Sequence, residues 1–185
     1  MSILLLGMVI FFSVHLIPTY VRLRDRLVDW KGESVYLICY SLAAALGLAL
    51  IIVGKAKAAY IPLWDLPKWI NHLTLTAMLP AVILLAAAYI PNNLKRFIRH
   101  PFLGGITLWA LSHLAVNGDL GSLILFGGFA TYATFDMWSA SRRGAEKSDK
   151  KLPLYWDLVL IAAGGSAYGA ILFLHPYLFS VAALP

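Results

Sequence analysis

Apolar runs of membrane length, separated by short polar stretches, account for most of this chain. Six stand out: Ser2–Thr19, Ser34–Val53, Ile70–Ile90, Phe102–Val116, Leu120–Phe135 and Leu158–Leu174. An α-helix rises about 1.5 Å per residue and the bilayer core is about 30 Å thick, so roughly 17 to 25 apolar residues cross it. The pattern predicts an all-α, polytopic membrane helix bundle of about six transmembrane helices, forming a single integral membrane domain over residues 1–185. The fourth and fifth runs are short and separated only by Asn117, Gly118 and Asp119. They read as a tight helical hairpin, or as one broken, re-entrant element. Pro80 falls inside the third run, where it should kink the helix and free a carbonyl. Glycine pairs at Gly104–Gly105, Gly127–Gly128 and Gly164–Gly165, with Gly165 and Gly169 at small-xxx-small spacing, are expected where helices approach closely.

Composition agrees with a membrane solvent. Of 185 residues, 61% are hydrophobic and 13% charged, where soluble domains carry about a quarter charged. The mean hydropathy is +0.77. The first run lacks a basic leader and a small-x-small cleavage site, and Pro18 and Arg22 follow it directly, so it reads as a retained helix. A single cysteine, Cys39, excludes an internal disulfide and a cysteine metal cluster, and is expected to act as a small buried hydrophobe. Residues 140–151 form the least apolar linker and read as a flexible loop.

The charges set an orientation. Arg22, Arg24, Arg26, Lys31, Lys95, Arg96, Arg99, Arg142, Arg143, Lys147, Lys150 and Lys151 fall on the odd loops, whereas only Lys55, Lys57 and Lys68 fall on the others. This segregation places the odd loops in the cytoplasm and both termini on the outer side. It also accounts for the net charge of +6 without a nucleic-acid partner, because no soluble basic face accompanies it. Trp30, Tyr60, Trp64, Trp69, Tyr89, Trp138, Tyr155 and Trp156 flank the runs at headgroup depth, where membrane lipid is the first partner.

Two histidines interrupt apolar runs. His15 lies in GMVIFFSVHLIP and His113 in GGITLWALSHLAVNGD. An intramembrane ring nitrogen without a partner costs free energy, so such a residue is a functional candidate by default. At helical spacing His113 shares a face with Phe102, Ile106, Trp109 and Asn117, with Gly105 two turns away on the same side. His15 shares one with Met8, Phe11, Phe12 and Pro18. Imidazole is a common ligand of haem iron, and the macrocycle needs an apolar, aromatic slot. The plain alternative is that each ring bonds a neighbouring carbonyl. From the assumed boundaries His15 lies about 8–10 Å from the cytoplasmic end and His113 about 17 Å above it, so His72 is a rival partner for His113 on depth. His100 before Pro101, His72 after Trp69 and His175 before Pro176 read as interfacial. No His-x-x-x-His, Glu-x-x-His, carboxylate cluster, nucleophile constellation or phosphate loop is evident.

The segments VHLIP, KGESVYLICYSL, LPKWINHL, RHPFLGGITLWALSHLAVNG, WSASRR and LHPY run nearly end to end. With them the chain resembles the NnrU-like membrane proteins, which are related to plant and cyanobacterial zeta-carotene isomerase. The RHP block followed by the WxLxHxxxNG block is the specific part. The resemblance implies haem b held by two axial histidines, which match His15 and His113 here, with Phe11, Phe12, Gly105, Trp109 and Asn117 as cofactor-binding candidates. It implies a bacterial inner membrane protein associated with nitrite and nitric oxide metabolism, with nitric oxide as a ligand to sense or handle. A haem-dependent cis–trans isomerase acting on a lipophilic polyene is the alternative, and a cofactor-free assembly or structural factor is another. The isomerases carry a cysteine three residues before the second ligand, where this chain has Ala110.

Reporter fusions at Ala145 and at Pro185 should report opposite sides of the membrane, the first cytoplasmic. The same side for both would mean that the helices between them do not cross an odd number of times.

Overall fold

The computed structural model describes residues 1–179 and Val181. All six apolar runs are helical: α1 (Ser2–Leu16), α3 (Glu33–Ala56), α4 (Ile70–Ala87), α5 (Pro101–Val116), α6 (Leu120–Arg142) and α7 (Tyr155–Phe179). Five reach the length and hydropathy of a membrane span. They are Ser2–Thr19, which includes a 3-10 turn after α1, Glu33–Ala56, Ile70–Ala87, Leu120–Arg142 and Tyr155–Phe179. Pro101–Val116 is apolar but has only 16 residues. The chain is therefore a polytopic helical membrane protein.

The basic segment after the first run is not a plain loop. Val21–Lys31 folds as α2, an amphipathic helix in which Leu23 and Leu27 stand one turn apart among arginines. Gly32, at φ +85, ends α2 and opens α3, a backbone conformation that a side chain rarely tolerates. Asn117 and Asp119 are non-helical, at φ −122 and φ −112, so the fourth and fifth runs are two helices and not one broken element. The irregularity lies inside α6 instead, as a π-helical stretch at Leu123–Gly127.

The chain divides into two compact units. The first comprises Met1–Leu63 with Asp119–Gly128. Its core is the contact of α1 with α3, where glycines let backbones meet. A Cβ on Gly7 would lie 2.6 Å from the Ile51 nitrogen, and one on Gly47 would lie 2.8 Å from the Phe11 nitrogen. Gly54 faces the Leu4 backbone in the same way. Leu4, Met8 and Ile51 are buried around them. In a bilayer, where lipid is as apolar as leucine, such close packing drives helix association.

The second unit comprises Trp64–Gly118 and the chain from Phe129 onward. Here α4 packs on α5 and α7. A Cβ on Gly105 would lie 2.9 Å from the Ala81 carbonyl, and one on Gly164 would lie 2.8 Å from Ile83. Among the described residues Gly165 and Gly169 meet nothing within 4 Å, so the close approach expected of that pair belongs to Gly164. The low-apolar linker is also more ordered than its composition suggests. Residues 140–142 complete α6, the Ser148 amide donates to Lys95, and Leu152 exchanges hydrogen bonds with the Asn93 side chain. Asn93 also donates to the Asp157 carboxylate at 2.6 Å. Cys39, expected to be buried, is exposed on α3.

Candidate functional site

Both candidate histidines occupy the last turn of their helices, and both make the same bond. The His15 Nδ1–H donates to the Phe11 carbonyl one turn earlier, at 2.7 Å. The His113 Nδ1–H donates to the Trp109 carbonyl, also one turn earlier, at 2.9 Å. A carbonyl only accepts, so in a neutral ring the proton sits on Nδ1 and Nε2 carries the lone pair. A bond of this kind fixes the tautomer and orientation of a metal-ligating imidazole.

Aromatic rings line each site within its own unit. His15 stacks on Phe11 at 4.1 Å between centroids, and Tyr40 of α3 lies at 5.4 Å. Phe12 meets Phe11 edge-on at 5.6 Å and faces Gly128, where a Cβ would lie 3.3 Å from its ring. In the second unit Trp109 lies 5.3 Å from His113 and meets Phe129 edge-on at 5.5 Å. Asn117 Nδ2 donates to the His113 carbonyl at 2.7 Å and closes the end of α5. The next carbonyl back, that of Ser112, accepts from Thr74 of α4 at 3.2 Å. Gly105 faces α4, and Phe102 pairs with Tyr89 at 6.2 Å.

The remaining histidines are built differently. The His72 ring is exposed and makes no hydrogen bond among the described residues, although the His72 carbonyl accepts from Thr76. His100 precedes Pro101 at the start of α5, as expected, and its Nε2 lies 2.9 Å from Ser141 Oγ. Burial holds the His100 ring below its usual pKa, with Arg99 adding to this and Asp136 opposing it. Asp136 pairs with Arg143 at 3.5 Å. The His175 Nδ1–H donates to Val181 at 2.7 Å.

The family described as NnrU protein matches residues 3–183. The chain belongs to the NnrU family. No curated protein and no solved structure matches it.

A part-buried ionic cluster in this NnrU chain escaped the sequence reading. Lys55 Nζ, at the end of α3, donates to Asp119 Oδ1 at 3.0 Å, to Oδ2 at 3.2 Å and to Ser122 Oγ at 2.8 Å. The Ser122 amide donates to Asp119 Oδ1 at 3.1 Å, and its hydroxyl donates to Oδ2. Asp119 is thus the N-cap of α6 and also the counter-ion of Lys55. The Asp-x-x-Ser spacing was the available signal. Lys55 had counted only as loop charge. Its partner on α6 is 64 residues away.

Burial alone would raise the Asp119 carboxyl, but the bonds from Ser122 and Lys55 outweigh it and hold the group below the usual carboxylate range. A depressed folded pKa contributes stability above the unfolded value of about 3.9, and that contribution is lost as pH falls through the folded value. Lys55→Met should therefore cost about 3 kcal/mol at neutral pH, because it strands a buried carboxylate. The deficit against wild type should shrink on acidification below about pH 4, as Asp119 takes up a proton. Unfolding midpoints of detergent-solubilised protein from pH 7 to pH 3 check this. A deficit independent of pH would contradict it.

Proposed function

We propose that this NnrU-family protein binds haem b through His15 and His113 at the bacterial inner membrane and serves nitrite and nitric oxide metabolism. The observation that carries the reading is the shared arrangement of the two rings. Each donates Nδ1–H to the carbonyl of an aromatic residue one turn earlier, so that in the neutral ring the lone pair lies on Nε2. The surroundings fit a flat, apolar group: Phe11, Phe12 and Tyr40 around one ring, Trp109 and Phe129 around the other. Haem, when bound, supplies an iron centre able to take nitric oxide as a ligand.

The chain's own residues orient and hold. Asn117 and the Thr74–Ser112 bond brace the end of α5, so His113 is the firmer base. His15 ends α1 beside the 3-10 turn at Ile17–Thr19, where Thr19 Oγ1 bonds the Leu16 carbonyl at 2.6 Å. We assign His15 as the more easily displaced of the two. The polyene-isomerase reading receives less support. Ala110, where the isomerases have cysteine, is fully buried, and Cys39 lies on α3.

The visible spectrum of the purified protein, oxidised and reduced, tests the proposal. His15→Ala and His113→Ala should each lower haem retention by more than the roughly 10- to 100-fold typical of outer-shell losses. His72→Ala, His100→Ala and His175→Ala should retain it. A pigment-free wild type would favour the cofactor-free reading. Loss of haem in His72→Ala but not in His15→Ala would overturn the ligand assignment.

A further inference from the structure

An apolar groove of about 260 Å³ opens in the first unit, walled by Val14, Ile17, Leu27, Val35, Cys39 and Ala43. Three features distinguish it from ordinary lipid-facing surface. First, Tyr36 lines it and is only 9% exposed, yet its hydroxyl is buried and meets no hydrogen-bond partner among the described residues. An uncompensated hydroxyl is costly in an apolar medium. Second, Lys31 lines the same groove, and its ammonium lies over the Trp30 ring at 4.7 Å without an ion pair among the described residues. Third, the neighbouring cation is already answered. Arg24 covers the Tyr36 ring at 5.8 Å while it pairs with Glu33 at 3.3 Å and with Asp25 at 3.6 Å.

These groups lie in a fixed order from the end of α2 along α3. Tyr36 stands three residues after the start of the helix, about 4.5 Å along its axis, at the depth where headgroups give way to hydrocarbon. Cys39 and Ala43 follow one and two turns deeper on the same face. A charged head, a hydrogen-bonding neck and an apolar tail therefore succeed one another from Lys31 to Ala43. We propose that this groove is a specific site for one anionic phospholipid. Its phosphate sits at Lys31, its ester carbonyl accepts from the Tyr36 hydroxyl, and an acyl chain runs along Cys39 and Ala43. The inference does not rest on haem binding, although Tyr40 beside His15 also lines the groove.

Delipidated protein in neutral detergent provides the test, with phosphatidylglycerol, phosphatidylcholine or inorganic phosphate added. Lipid retention is read by native mass spectrometry and stability by thermal midpoint. Phosphatidylglycerol should be retained and should raise the midpoint more than phosphatidylcholine does. Phosphate alone should leave it unchanged. Without lipid, Tyr36→Phe should unfold at or above the wild-type midpoint, because it removes an unpartnered hydroxyl. That result also shows that the variant folds. Its retention of phosphatidylglycerol should fall by about three- to tenfold. Lys31→Gln should narrow the preference for the anionic lipid, and Cys39→Trp should fill the groove and abolish retention. An unchanged lipid response in Tyr36→Phe, a lipid-free Tyr36→Phe less stable than wild type, equal retention of both lipids, or an equal effect of phosphate would each overturn the proposal.

Discussion

A polar atom inside a bilayer has no water to turn to, so the chain must answer it internally. That constraint governs polar side chains within the helices, and burial at the helix ends imposes the same demand. Thr107 bonds back to Leu103 within its own helix. Asn92, almost fully buried, donates to the Ala87 and Ile90 carbonyls and accepts from the Lys95 amide. Tyr168 of α7 donates to the Leu75 carbonyl of α4 at 2.8 Å. Lys55, Asp119 and Ser122 answer one another. The two candidate histidines obey the same rule through Nδ1, which in both donates to the carbonyl one turn earlier.

Where polar demands are few, shape holds the helices together. In the first unit Gly7, Gly47 and Gly54 bring the α1 and α3 backbones into direct contact. In the second, Gly105 and Gly164 do the same for α4 against α5 and α7. This division of labour leaves the aromatic residues available for other work. Phe11, Phe12, Trp109 and Phe129 gather around histidines, while Leu4, Met8, Ile51, Ala81 and Val82 fill the packed seams.

The helices were legible in the sequence because run length in apolar residues is a one-dimensional quantity. The histidines were legible for a related reason, since a ring nitrogen is conspicuous among leucines. Partners were harder to see. Gly165 and Gly169 have the right spacing for close packing but meet nothing within 4 Å among the described residues, whereas the isolated Gly7, Gly47 and Gly54 bring two backbones together. Spacing along one helix does not reveal what another helix presents. The charges of α2 masked its helical period, and the polarity of residues 140–151 masked the clamp that Asn93 and Asp157 place on its far end. Asp119 looked like a turn residue because its lysine partner lies across the fold and not along the chain.

The central claim is that His15 and His113 both hold a proton on Nδ1, donated to the carbonyl one turn earlier. Nitrogen-15 NMR of histidine-labelled protein in lipid bilayers, assigned through single histidine substitutions, reads this directly. Nδ1 should carry a proton at both positions in the haem-free protein. A ring that carries its proton on Nε2 alone, at either residue, would contradict it.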